Sequence, residues 1–221
     1  MTDTLIFESE GRAIPYAVEG EGPAVVLIAG QGLNIDYLYP LAHSVAMEDF
    51  RVLRVGSRRP AGRDVVSMSA LAQDVVDVMD ELGIAHAWVG GHGFGGSVAR
   101  TVAVDHHDHV NGVLLLGVEG ATQTAGALDS VDVPERFRDV EVESLQRSAR
   151  EAGELPLAVG VPVLVIQGTQ DRITPPANGE ALRESAPELV SVVSVEGGGH
   201  MFAVTHVGAT SWAIEDYLDW D

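Results

Sequence analysis

The chain has 221 residues, 13 basic and 33 acidic, for a formal net charge of −20 at pH 7 with histidine neutral. Every basic residue is arginine and cysteine is absent, which excludes lysine Schiff bases, Walker lysines, thiol nucleophiles, disulfides and cysteine-ligated metal centres. A surface this negative repels phosphate backbones, so neither nucleic acid nor an anionic membrane is an expected partner.

The length suits one domain over residues 1–221, and 46% hydrophobic residues can fill its core. The polar start, Met1-Thr2-Asp3-Thr4, lacks the order of a secretory signal, and no apolar run approaches the ~20 residues that cross a bilayer. A cytoplasmic protein is expected.

Leu5-Ile6-Phe7 and Ile14 to Val18, divided by Gly11, read as an antiparallel pair. Ala24 to Ala29 is a continuous apolar run, as in a strand covered on both faces, and ends at Gly30. After a strand at Val52–Val55, the residues Met68, Leu71, Ala72, Val75, Met79 and Leu82 recur at helical spacing until Gly83. Ala87-Trp88-Val89 leads into a second glycine cluster and a helix through Val98 and Val102. Gly112–Leu116, Val161–Ile166 and Val190–Val195 are further strands, and a closing helix is expected from about Val204 to Trp220. Between them, a charged helix from Glu135 to Glu151 lies in an irregular stretch, read as an insertion at about 119–160 over the carboxyl edge of the sheet. Alternating strands and helices imply an α/β fold with a mostly parallel sheet covered on both faces.

Gly91-His92-Gly93-Phe94-Gly95-Gly96 is a tight strand-to-helix corner. As G-x-G-x-x-G, Gly91, Gly93 and Gly96 fit a dinucleotide fingerprint, with Glu119 near the distance of a ribose-binding acid. That fingerprint normally opens a sheet, whereas several strands precede this one.

Taken with its surroundings, the cluster resembles the nucleophile elbow G-x-S-x-G of the α/β-hydrolase family, with Gly93 in the place of the serine. Gln167 to Pro175 is similar to that family's acid loop, and Gly197-Gly198-Gly199-His200 to its histidine loop; Arg51 to Gly62 resembles the strand and arginine–glycine turn before the second helix. The resemblance implies an α/β-hydrolase fold with a short lid, Asp171 orienting His200, and backbone N–H groups of Gln31 and Phe94 forming an oxyanion hole. Ala29 stands where the family usually has histidine, which removes no backbone donor.

Glycine at 93 provides no group to acylate. It is compatible with natural loss of serine, with an engineered Ser-to-Gly change, and with a different mechanism; it also relieves a strained turn. Ser97, one helical turn on, is expected to face helix packing. Gly30, His92, Met201 and Phe202 are expected to wall a substrate pocket. Asp171 taken alone reads as a turn or N-cap aspartate, and Glu119 as a lid-base residue or backup acid. Asp105-His106-His107-Asp108-His109 is expected to be a surface turn, since adjacent residues converge poorly on one ion, so no metal and no cofactor is expected. The resulting expectation is a hydrolase-like protein acting on a small, largely apolar, ester-type molecule through a His–Asp dyad. The alternatives are a non-catalytic ligand-binding protein and, third, a dinucleotide binder.

Overall fold

The computed structural model describes residues 3–60, 65–120, 131, 133–150 and 155–219. The apolar runs are strands β3 (Ala24–Ile28), β5 (Ala87–His92), β6 (Val110–Leu116) and β7 (Val163–Gly168), buried along almost their whole length. They are joined by β4 (Arg51–Val55) and β8 (Val190–Val195), and by the antiparallel pair β1 (Leu5–Ser9) and β2 (Arg12–Glu19). The eight strands form one sheet ordered β1-β2-β4-β3-β5-β6-β7-β8. It is antiparallel from β1 to β4 and parallel from there to β8.

Strand alternation divides the core between the two faces. Val26, Ile28, Val89 and Leu115 pack with Leu71, Val75 and Met79 of α2 (Met68–Glu81) and with Val98 and Val102 of α3 (Phe94–Asp105). Val25, Leu27, Leu114 and Ile166 pack with Leu41 and Val45 of α1 (Tyr39–Ala46) and with Ala213 and Ile214 of α7 (Val207–Leu218). Each such valine, leucine, isoleucine or methionine side chain, fully buried, contributes about 1.5–3 kcal/mol from apolar area removed from water. α2 keeps the boundaries read from sequence, with the Ser67 hydroxyl capping its start and Gly83 at φ +65° after its end.

Three segments differ from the sequence reading. α1, begun by Pro40 in its first turn, has no marked periodicity and was not foreseen. The helix expected from Glu135 to Glu151 is a 3-10 turn at Glu135–Phe137 followed by α4 (Val140–Ala149), with Glu151 outside the described residues. The break has a cause: Asn34 N–H donates to the Phe137 carbonyl and Asp139 N–H to the Gly32 carbonyl, so these backbone groups serve a neighbouring loop instead of a helix. The closing helix is divided at His206 into α6 (Phe202–Thr205) and α7, and Trp220 lies outside the described residues. Ala61 and Gly62 of the arginine–glycine turn and much of the proposed lid, residues 121–130, 132 and 151–154, also lie outside them. α5 (Pro176–Ser185) follows the acid loop and packs on β7 and β8. No helix among the described residues is long and apolar enough to cross a membrane.

Candidate active site

The carboxyl ends of β3, β5, β6, β7 and β8 lie side by side, and the candidate residues follow them: Gln31, Gly93, Glu119, Asp171 and His200. Such sheet ends are where open α/β folds bind ligands.

At the end of β5 the chain turns through Gly93 (φ +52°, ψ −110°) straight into α3. The turn is this sharp because a Cβ at Gly95 would lie 2.2 Å from the Ile28 carbonyl oxygen, so only glycine lets the helix start rest on the end of β3. At Gly93 the constraint is torsional. A Cβ there would stand 3.6 Å from His200 Cε1 and 3.9 Å from His200 Nε2, with nothing else closer. The position has room for a side chain, and that side chain would face the histidine.

His200 Nδ1 lies 3.1 Å from Asp171 Oδ2, with both side chains almost wholly buried. Asp171 Oδ1 accepts the N–H groups of Ile173 and Thr174 at 2.8 and 2.9 Å, while Oδ2 also accepts the Thr174 hydroxyl at 2.6 Å. Burial pushes the Asp171 carboxyl up, but the hydrogen bond and charge of His200 and the Thr174 bonds outweigh it, leaving the pKa below its ordinary 3.8. A carboxylate with four donors stays ionised and fixes the proton of neutral His200 on Nδ1. Nε2, the ring atom facing Gly93, is then the free acceptor. Oδ1 thus makes the local bonds of a turn aspartate, while Oδ2 meets the histidine. Of the three glycines before His200, Gly198 presses on Gly168, whose Cβ would meet the Gly198 oxygen at 2.4 Å, whereas a Cβ at Gly199 meets nothing within 4 Å.

His92 lies behind this pair, its ring centroid 4.5 Å from that of His200. Its Nε2 is 2.8 Å from the His200 carbonyl, which can only accept, so Nε2 carries the proton. Nδ1 then accepts from the Tyr37 hydroxyl at 3.2 Å, and that hydroxyl accepts the Gly30 N–H at 2.9 Å. Burial, with the charge of His200 second, pushes the His92 pKa down to about 3, so the ring is neutral. Phe202 meets His92 edge-on at 6.1 Å, and Met201 is buried in the same layer. The four residues expected at a pocket wall, Gly30, His92, Met201 and Phe202, thus form a packed layer beside His200.

Gln31 follows in the loop after β3. Gly30 N–H goes to Tyr37 and Gly32 N–H to Gln146 Oε1 at 2.7 Å, whereas Gln31 N–H has no acceptor among the described residues. Phe94 N–H opens α3 and so has no intrahelical acceptor. The Gln31 side chain accepts from Arg150 Nε at 3.0 Å, and the same guanidinium lies 5.0 Å from the Phe94 ring centroid and pairs with Glu119 at 2.7 Å. Ser97, one helical turn past the corner, donates to Glu119 Oε2 at 2.8 Å. A cavity of about 620 Å³ is lined in part by Arg58, Ser67, Ser148 and Arg150.

Tyr37, Gln146 and Arg150 were not singled out from sequence. Their partners lie 55, 114 and 119 positions away, and no local spacing signals such pairings. In the Asp105–His109 run, His107 Nε2–H donates to the Val159 carbonyl at 3.1 Å, and the nearby His86 Nδ1–H donates to the Asp108 carbonyl at 2.9 Å.

A family profile described as "alpha/beta hydrolase fold" matches residues 23–150, and one described as "TAP-like protein" matches residues 142–220. The chain belongs to the alpha/beta hydrolase fold family. It is 29% identical over 241 residues to the dihydrolipoyllysine-residue acetyltransferase component of the acetoin cleaving system of Cupriavidus necator, an alignment covering 87% of this chain and 63% of that protein. It is 31% identical to a Caulobacter sp. (strain K31) protein named as a carbamate hydrolase, RutD, over 43% of this chain and 39% of that one. The chain therefore spans less than two thirds of these curated relatives. The enol-lactonase of Burkholderia xenovorans LB400 has the same fold, with a TM-score of 0.79 at 24% identity over 97% of this chain and 100% of that one.

Proposed function

We propose that this hydrolase-like chain acts on a small, largely apolar, ester-type molecule at the carboxyl ends of β3, β5, β7 and β8, using a His200–Asp171 dyad and no serine nucleophile. The observation that carries the reading is the place of position 93: a Cβ there would stand 3.6 Å from His200 Cε1 and 3.9 Å from His200 Nε2. In this mechanism Nε2 takes a proton from water or from the substrate, Asp171 stabilises the imidazolium that forms, and the Gln31 and Phe94 N–H groups receive the developing oxyanion. Gly30, His92, Met201 and Phe202 shape the adjoining wall, and the segment at about 119–160 serves as a reduced lid on a single domain. Relatives named for carbamate and enol-lactone hydrolysis support acyl chemistry of this class.

The test is Gly93→Ser, assayed with a short aryl ester. A serine hydroxyl there completes an acyl-transfer site, so turnover is expected to rise by roughly 10²-fold or more over the native chain. A folded but inert variant overturns the reading.

A second reading, a ligand-binding protein that performs no reaction, is favoured by Gly93 itself. It predicts that His200→Ala leaves ligand affinity unchanged, and loss of a turnover activity in that variant removes it. The dinucleotide reading has less support, because Glu119, its ribose acid, is occupied by Arg150 and Ser97.

A further inference from the structure

The loop carrying Gln31 is held by three side chains from outside itself. Tyr37 takes the Gly30 N–H, Gln146 takes the Gly32 N–H, and Arg150 grips the Gln31 side chain. Two of the three belong to the lid segment: Gln146 is buried within α4, and Arg150 caps its end. The Arg150 guanidinium is spread over three elements. Its Nε and one terminal nitrogen donate to Gln31 Oε1, both terminal nitrogens reach the Glu119 carboxylate, and its plane lies against Phe94. Glu119, in the loop after β6, is tied in turn to Ser97 of α3. One side chain thus links the lid helix to both loops from which the Gln31 and Phe94 amides project. Lysine cannot reproduce this, because a single ammonium lacks the planar fork that engages an amide oxygen and a carboxylate together.

We propose that Arg150 is a positioning residue that couples docking of the lid helix to the conformation of the Gln31 loop, so that the Gln31 donor is aligned with the fixed Phe94 donor only when α4 is seated. Its catalytic consequence rests on the proposed hydrolase reading; its structural consequence does not. Arg150 touches no reacting atom in this scheme. Removing it frees Gln31 and leaves Glu119 without its cation, while Asp171, His200 and the core strands keep all their partners.

Two arms separate the proposal from that reading. In the native chain, Arg150→Met is expected to raise amide hydrogen exchange of residues 29–34 by about 10-fold or more while the core strands stay protected; Arg150→Lys falls between. In a Gly93→Ser background, Arg150→Met is expected to lower kcat on an aryl ester by about 10- to 100-fold with KM within about twofold, because misaligned donors weaken the transition state and not substrate binding. Arg150→Lys recovers part of the loss. Unchanged exchange in residues 29–34 overturns the coupling whatever the activity. An inactive Gly93→Ser chain whose loop still loosens in Arg150→Met overturns the hydrolase reading and supports the coupling. A change in KM alone contradicts the positioning role.

Discussion

The two halves of the site are built to different degrees. On the β7–β8 side the acid and the inner edge of the imidazole are fully held: Asp171 accepts four hydrogen bonds, one of them from His200 Nδ1, and the Thr174 hydroxyl meets both. On the β5 side the backbone is equally determined, with Gly93 N–H bonded to the Leu116 carbonyl and α3 resting on β3, yet the residue facing His200 has no side chain. In the proposed hydrolase reading, that contrast assigns the group that loses a proton to the ligand, or to water, at position 93.

The greatest loss is expected on the β7–β8 side. In a Gly93→Ser chain, Asp171→Asn is expected to lower esterase kcat by roughly 10³–10⁴-fold, because the amide no longer holds the correct histidine tautomer. Activity within tenfold of its parent would show that His200 works without Asp171.

Next in size is acid stability. His92 has an ordinary pKa of 6.5 in the unfolded chain and about 3 when buried, so the unfolded chain binds the extra proton between these values. The stability held by neutral His92 is complete above pH 6.5 and is lost as pH falls toward 3, with a slope of up to ~1.4 kcal/mol per pH unit. Asp171, its pKa depressed below 3.8, adds a loss in the same direction at the acid end of that range. Denaturant titrations of the native chain and of His92→Gln are expected to differ in that slope; equal slopes would contradict a neutral buried ring.

Smaller again is Tyr37→Phe, which leaves the Gly30 N–H and His92 Nδ1 without partners in a buried layer and is expected to cost about 1–3 kcal/mol in chemical denaturation. A neutral effect would mean that the Gly30–Tyr37–His92 chain contributes nothing to the β3 loop.

What was legible in the sequence follows the range of the interactions. β3, β6 and β7 announce themselves as apolar runs because both faces are covered, and α2 by its period and its cap. Glycine, aspartate and proline marked the turns at Asp171 and His200 locally, but reading them as an acid loop and a histidine loop came from their resemblance to the family's motifs. The break at Arg138–Asp139 was not, because its cause is hydrogen bonding to residues 32–34 about a hundred positions earlier. Arg54 illustrates the same limit. It sits in an apolar strand at 1% exposure, donates to the Ile35 carbonyl and lies 5.3 Å from the centroid of the Tyr39 ring, a burial that strand periodicity does not encode. Gly93 was recognisable as a departure from a pattern, whereas its place beside His200 needed coordinates.

The proposed pairing of position 93 with His200 makes a hydroxyl placed there reactive. It is tested most directly by treating Gly93→Ser with a fluorophosphonate and measuring intact mass. One adduct is expected, mapping to the peptide that contains residue 93 and abolished when His200→Ala is added. A folded Gly93→Ser chain that stays unlabelled, or labels equally well without His200, would contradict it.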